Sequence, residues 1–259
     1  PSGAATYTIP IALPPGVNGL QPNLALVYNS QAGNGQLGIG WDLAGFSVIH
    51  RCPATIERDG FKGGVYYNAN DRLCLDGERL VRVIGTEYRT DTESLQKIIA
   101  ADTTHNPAWF TVTTPDGTVR EYTLPIEAAG NASIRRLWAL SKIRDKNGNT
   151  IDFAYDKADV PVHGDYRPTS ISYAGGANTV VFQYGPRNDT APFYEGGYVT
   201  RTLKILTNVA SYANGTKVRE YRLGYDANGA AGRARLISVQ ECGTDGTCIS
   251  PTQSRWVTT

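Results

Sequence analysis

Nine Asn-Gly or Asp-Gly dipeptides punctuate the chain, at Asn18, Asn34, Asp59, Asp76, Asp116, Asn147, Asn214, Asn228 and Asp245. Both residues of such a pair tolerate positive φ, so each suits the two-residue type I′ turn of a β-hairpin. Several are flanked by strict alternation. Phe110 and Val112 alternate with Thr111 and Thr113 before Asp116-Gly117, and Glu121 and Thr123 alternate with Tyr122 and Leu124 after it. A period of two puts one set of side chains inward and the other outward. The pattern predicts a mainly β fold, an antiparallel meander of hairpins in curved sheets.

The hairpin unit recurs. Asp-Gly-Thr-Val-Arg-Glu-Tyr-Thr-Leu at 116–124 matches Asn-Gly-Thr-Lys-Val-Arg-Glu-Tyr-Arg-Leu at 214–223. A looser copy runs from Asn147 to Asp156, with Ile151, Phe153 and Tyr155 on one face. Another reads Ser170–Tyr173, a turn at Gly175-Gly176, then Val180, Phe182 and Tyr184 on one face. The spacing is too irregular for a solenoid. Glu93–Ala101 reads either as two helical turns capped by Thr92, with Leu95, Ile98 and Ile99 together, or as a strand. Loops are expected at 156–168 and 185–197, where Pro and Gly cluster. Residues 1–259 read as a single region, with a weak subdivision near 127–132 where Ala-Ala-Gly-Asn interrupts the alternation.

Composition limits the function classes. The 25 Lys+Arg balance 24 Asp+Glu, which leaves no long-range pull on nucleic acid or anionic membranes. No apolar run approaches the roughly 20 residues of a membrane-spanning helix. With Pro1 first and no Met, the sequence reads as a processed product or a fragment. Four cysteines pair naturally in an exported protein as Cys242–Cys248, around a short loop, and Cys52–Cys74. The alternative of four thiols in a reducing compartment stays open, while a zinc site lacks Cys-x-x-Cys spacing.

Few motifs point to chemistry. Gly33-Asn-Gly35-Gln-Leu-Gly38 fits Gly-x-Gly-x-x-Gly, but a dinucleotide site needs a helix opening at the third glycine. Ile39-Gly40-Trp41-Asp42-Leu43 is poor helix, so a glycine-rich turn with Trp41 packed beneath is the better reading. Asp145, Asn147, Asn149 and Asp152 space oxygens like part of a calcium loop, without its length or its bidentate Glu. The turn reading wins there too. His50, His105 and His163 are isolated, and no Gly-x-Ser-x-Gly elbow, His-Glu-x-x-His or Walker loop is present. Arg135, Arg136 and Trp138, and Arg219, Tyr221 and Arg222, could stack on single strands. Balanced charge favours cross-strand packing instead. The residues singled out are therefore structural: the four cysteines, Trp41, and the turn glycines Gly35, Gly38, Gly40, Gly117, Gly148 and Gly215.

Four longer stretches carry a family resemblance. Residues 9–30 (Ile-Pro-Ile-Ala-Leu-Pro-Pro-Gly-Val-Asn-Gly onward), 38–53 (Gly-Ile-Gly-Trp-Asp-Leu-Ala-Gly-Phe onward), 73–80 and 240–248 resemble the SpvB-like N-terminal region of Tc toxin B components. The hairpins ending Tyr155-Asp156 and Tyr225-Asp226 resemble single Rhs/YD repeats. The resemblance implies a wall segment of a hollow β shell around a toxic cargo, with other regions or subunits of the same toxin as partners. It also implies a secreted or cell-surface setting and no cofactor. In the virulence-plasmid SpvB family this region precedes a separate ADP-ribosyltransferase domain, whose Glu-x-Glu motif has no counterpart here. Two other readings compete with the shell. One is a cell-surface adhesin or carbohydrate-binding module using exposed aromatics. The other is part of an ADP-ribosyltransferase toxin whose catalysis lies outside this chain.

Overall fold

A computed structural model describes residues 3–226 and 232–256. Strands dominate and the sheets are antiparallel and curved. Among the described residues the helices are single turns, Ile56–Asp59, Val160–His163 and the 3-10 turn Ala174–Gly176. None is long and apolar enough to cross a membrane. The chain divides into two compact units: one from residues up to 46, 168–191 and beyond 201, the other from Ser47–Arg167 and Pro192–Arg201.

In the first unit, Thr6–Ile11, Leu24–Asn29 and Trp41–Ala44 form a three-stranded sheet. A larger sheet runs through Arg167–Tyr173, Asn178–Pro186, Lys204–Ala213, Thr216–Asp226, Arg235–Cys242 and Thr252–Gln253. The two pack face to face. Phe46 meets Phe182 at 5.6 Å between ring centroids, and the Tyr221 hydroxyl accepts the Ala12 N–H at 2.9 Å. Leu24, Leu26, Ile171, Val180, Leu206 and Leu236 are buried between them, the inward half of a period-two pattern.

The second unit is one long ladder. Glu87–Thr90 pairs on one side with Glu78–Ile84, and through it with Arg72–Leu75, Val48–Cys52, Asn131–Ala139 and Leu124–Ala128. On the other side lie Lys97–Ala100, Phe110–Thr113, Val119–Tyr122, Lys142–Arg144 and Thr150–Asp156. The sheet curves strongly. Phe110 and Trp138 sit on strands that do not pair, yet their rings meet edge-on at 4.9 Å. Ile49, Ile98, Val112, Tyr122, Ile126 and Ile151 complete this interior. Trp138 is wholly buried and donates its indole N–H to the Pro107 carbonyl at 2.9 Å, as a buried indole must to avoid an unpaired donor.

The nine turn dipeptides sort into distinct classes. At Asn18-Gly19, Asp76-Gly77 and Asn214-Gly215 both residues have positive φ, as type I′ requires. At Asp116-Gly117, Asn147-Gly148 and Asp245-Gly246 only the glycine does. These are four-residue type I turns closed by a left-handed glycine, with the paired bonds Gly117 N–H to Thr114 O and Thr114 N–H to Thr118 O in the first. Two expected turns are displaced. Asn34-Gly35 is itself a short strand opposite Gly38–Ile39, the turn falling on Gln36-Leu37. Asp59-Gly60 ends the turn Ile56–Asp59, with Gly60 as its left-handed C-cap, because Asp59 accepts the Thr55 N–H and stabilises a helical start. Asn228-Gly229 lies outside the described residues.

Three further expectations resolve. Glu93–Ala101 takes the strand option at Lys97–Ala100, and Leu95 at φ 57° excludes the helix. The 156–168 loop holds the helical turn Val160–His163, and 185–197 is shortened by strands ending at Pro186 and starting at Phe193. Residues 127–132 form the bend between Leu124–Ala128 and Asn131–Ala139, inside the second unit. The alternation through Thr123 is broken. Ser141 Oγ donates to the Glu121 carbonyl at 2.8 Å and takes the Thr123 N–H, so the chain changes pairing partner there.

Candidate functional site: arginine-anchored walls and their clefts

A cleft of about 670 Å³ lies in the second unit. Its floor begins with Arg51. On strand Val48–Cys52, Ile49 and Arg51 share the inward face, so a period of two drives a guanidinium into the interior. Arg51 is 4% exposed. It donates Nε to the Arg135 carbonyl (2.9 Å), Nη2 to the His105 carbonyl (2.9 Å) and Asn106 Oδ1 (3.1 Å), and Nη1 to Asp71 (3.3 Å). It also lies 5.8 Å from the Tyr67 ring and 5.7 Å from that of Trp138. Burial lowers the guanidinium's pKa and Asp71 opposes this. Removing either partner of a buried pair like this strands the other charge, at about 3–5 kcal/mol.

Beside it, Asp59 accepts Arg72 Nε at 2.7 Å and Arg79 Nη2 at hydrogen-bond distance. Its carboxyl is held well below the usual range, chiefly by the Arg72 hydrogen bond against the opposing cost of burial. Arg58 pairs with Asp91 at 3.1 Å nearer solvent. Arg82, on the cleft's lip, donates to the carbonyls of Gly85 (2.6 Å) and Thr103 (3.3 Å). In the same unit Arg167 gathers Asp156, Asp159 and Asp165.

The first unit has a parallel device. Arg187 is 6% exposed and binds Asp189 (Nε to Oδ1, 2.6 Å), the Gly35 carbonyl (2.7 Å) and Asn34 Oδ1. Asp189 returns to Asn34 Nδ2 (2.8 Å) and the Ala234 N–H (3.0 Å). The glycine-rich segment is thus clamped by a side chain pair. Strand Trp41–Ala44 follows it, so the helix that would cradle a phosphate is missing. Gly38 has φ 90°, and a Cβ there would stand 2.3 Å from the Ala234 carbonyl oxygen. Gly40 abuts the Tyr28 ring, and Trp41, 3% exposed, packs against Tyr28 at 5.4 Å. A second, shallower cleft of about 340 Å³ is walled by Tyr7, Tyr28, Trp41 and Trp256.

The remaining singled-out residues are dispersed. Cys52–Cys74 is a bridge between adjacent strands with both residues buried; Cys242–Cys248 closes an exposed loop. Gly117, Gly148 and Gly215 are turn residues at positive φ. The calcium-like spacing does not converge on a cation. Asp145 accepts the N–H groups of Asn147 and Asn149 in its own turn, and Asp152 pairs with Lys142. No metal-ligand cluster occurs among the described residues. Trp138, weighed as a stacking residue, is core, while Arg135 and Arg136 donate to carbonyls at Asn106 and Gly164. Arg51 and Arg187 were not singled out from sequence. A charged residue at an inward position of an alternating strand was the available signal for Arg51.

Comparison with known proteins places this architecture. The family model described as SpvB, Salmonella virulence plasmid 65kDa B protein, matches residues 1–133. The mono(ADP-ribosyl)transferase SpvB of Salmonella typhimurium is 34% identical over 86 residues, 33% of this chain and 13% of the relative. That of Salmonella choleraesuis strain SC-B67 is 37% identical over 87 residues. The chain therefore aligns with only 13% of the length of these curated relatives. The crystal structure of TcdB2-TccC3 shares the fold over 95% of this chain and 16% of its own, with TM-score 0.77 and 20% identity. The N-terminal domain of effector protein SpvB from Salmonella typhimurium strain LT2 aligns over 91% of this chain and 98% of its own, with TM-score 0.70 and 20% identity. With half of its sequence matched by the family model and the fold shared along nearly all of it, this chain belongs to the SpvB family.

Proposed function

We propose that residues 1–259 act as one non-enzymatic wall segment of a secreted bacterial toxin, in the manner of a β shell that encloses or helps deliver a toxic cargo. Its partners are other regions or subunits of the same toxin. The fold shared with TcdB2-TccC3 supports this reading. The observation that carries it is the use made of buried charge. Arg51, Arg79 and Arg187 commit donors to main-chain carbonyls and aspartates of the wall itself. Groups so committed rigidify a sheet and are not poised for proton transfer or nucleophilic attack. Two disulfides suit an exported protein.

A chimera in which this chain replaces the matching region of TcdB2 tests the proposal. Taken as the enclosed cargo, the hypervariable C-terminal region of TcdB2-TccC3 should remain protected from added protease. Digestion of the cargo inside a folded chimera would refute the wall role. Incubation of the chain with labelled NAD and host lysate should label nothing; transfer of label would return catalysis to this segment.

A carbohydrate-binding module is a second reading, favoured by the aromatic cleft of Tyr7, Tyr28, Trp41 and Trp256, where Tyr7 is 55% exposed. Aromatic faces of this kind stack on sugar rings. Glycan-array binding abolished by Tyr7→Ala would support it over the wall.

A further inference from the structure

Strand Glu78–Ile84 outruns its neighbour on one side. Arg72–Leu75 pairs with it only at Glu78, Arg79 and Leu80, whereas Glu87–Thr90 follows it on the other side as far as Ile84. The two-residue turn Asp76-Gly77 makes Leu75 and Glu78 a mutually hydrogen-bonded pair, and alternation makes Leu73 and Leu80 the next. The same alternation aims the main-chain N–H and C=O of Arg82 toward the side where Arg72–Leu75 has already ended. Val81–Ile84 is therefore an open sheet edge. Its side chains are exposed as well: Val81 46%, Val83 59% and Ile84 73%. Edges of this kind are templates for an added strand and are usually defended by charge or proline; here Arg82 is the sole charge across the four residues.

This edge is also a lip of the arginine-lined cleft, whose lining includes Leu80, Val81 and Arg82. Five arginines line that cleft against three aspartates, and each aspartate already holds an arginine. Among the described residues Arg82 has no carboxylate partner. The surplus is positive, and a cleft focuses such a field. A second copy pairing edge to edge would set one Arg82 against another, a like-charge contact that disfavours it.

We infer that this cleft takes an acidic, extended segment of a partner chain. The segment adds as a strand along Val81–Ile84, sets its carboxylates toward Arg82 and Arg58, and lays its apolar side chains on Val81 and Val83. The inference stands apart from the wall reading, since strand addition requires neither a shell nor a cargo.

A short fluorescent peptide alternating glutamate and valine, titrated into the full chain, tests it. Its anisotropy should report binding roughly tenfold or more tighter than a peptide alternating lysine and valine. Arg82→Glu should weaken it by a similar factor, and so should Val83→Asp. Both positions are exposed, and circular dichroism would verify the fold. Amide exchange at Arg82 should slow when the peptide is bound. Equal affinity for the two peptides, or binding that leaves Arg82 exchange unchanged, would overturn the inference. So would a concentration-dependent dimer that Arg82→Glu dissolves, since a second copy would then be the occupant.

Discussion

The hairpins around Asp116-Gly117 and Asn214-Gly215 share nearly the same residues but close differently. In the first, Pro115 holds the φ near −65° that position i+1 of a type I turn wants, so the next residue stays right-handed and only Gly117 crosses to positive φ. Asp116 then accepts the Thr118 N–H at 3.0 Å. In the second, Ala213 precedes Asn214, and both turn residues go left-handed in a two-residue loop. The second copy also has one extra residue, Lys217. The register steps there, Ser211 facing Arg219 while Tyr212 faces Lys217, so the strand bulges. The bulge absorbs the insertion and returns the shared tyrosine to the inward face. Tyr122 and Tyr221 both end buried, one bonded to the Ser47 hydroxyl at 2.7 Å and the other to the Ala12 N–H. Turn type is thus negotiable, but the inward phase of the aromatic residue is preserved.

Losing the shared tyrosine should break this comparison most severely. Tyr221→Ala removes a buried aromatic and should cost about 3–5 kcal/mol. Deletion of Lys217 removes the insertion and the bulge together, so Arg219 can stay opposite Ser211 and Tyr221 opposite Val209, and Tyr221 should remain inward. Urea unfolding would show both; a midpoint that falls as far for the deletion as for Tyr221→Ala would refute the bulge account.

The disulfides rank next. The bridge with sequence separation 22, Cys52–Cys74, should stabilise by about 3 kcal/mol and the one with separation 6, Cys242–Cys248, by about 2. Paired serine variants, melted side by side, check the order. Because Cys248 is exposed and Cys52 and Cys74 are buried, a mild reductant should open the short loop first. Mass mapping of alkylated cysteines reads this directly.

Glycine substitutions sharpen the contrast between turns. Gly215→Ala and Gly117→Ala should each lose about 1–2 kcal/mol, since both need positive φ. Asn214→Ala should cost as well, because φ is 49° there, whereas an alanine at Asp116 loses only the side-chain hydrogen bonds. Similar losses at all four positions would erase the distinction between the turn classes.

The smallest effect is acidic. Glu220 receives hydrogen bonds from Arg222 and Lys217 and from Asn208, and its carboxyl is lowered from 4.5 to about 2. A depressed carboxylate contributes stability that is complete above its unfolded value and is lost as pH falls through the folded one. Stability should therefore decline between 4.5 and about 2, and Glu220→Gln should flatten that limb. A variant whose acid titration superimposes on the parent would remove Glu220 from the account.

Much of the fold was legible because β-turn chemistry is local. Asn18-Gly19, Asp76-Gly77 and Asn214-Gly215 needed only two residues that accept positive φ, and Ile151 with Phe153 needed only a period of two. Asn34-Gly35 and Asp59-Gly60 went elsewhere: Arg187 and Asp189, remote in sequence, clamp the first, and at the second Asp59 turns back on the Thr55 N–H while Arg72 and Arg79 converge on it. The clefts were illegible for the same reason. Arg51 finds its acceptors at residues 71, 105, 106 and 135, and no window along the chain contains them.

By itself, then, the order of residues determined six of the chain's reversals, at Asn18, Asp76, Asp116, Asn147, Asn214 and Asp245, and which side chains alternate. It also carried enough of the family's long motifs for the kinship to be read. Only the tertiary structure decided which strands become neighbours, which arginines are buried, and where Val81–Ile84 is left open on one side. The reason is physical. Backbone dihedral preferences act within a few residues, whereas desolvated charges and sheet edges are satisfied by whatever the folded chain brings to them from far away.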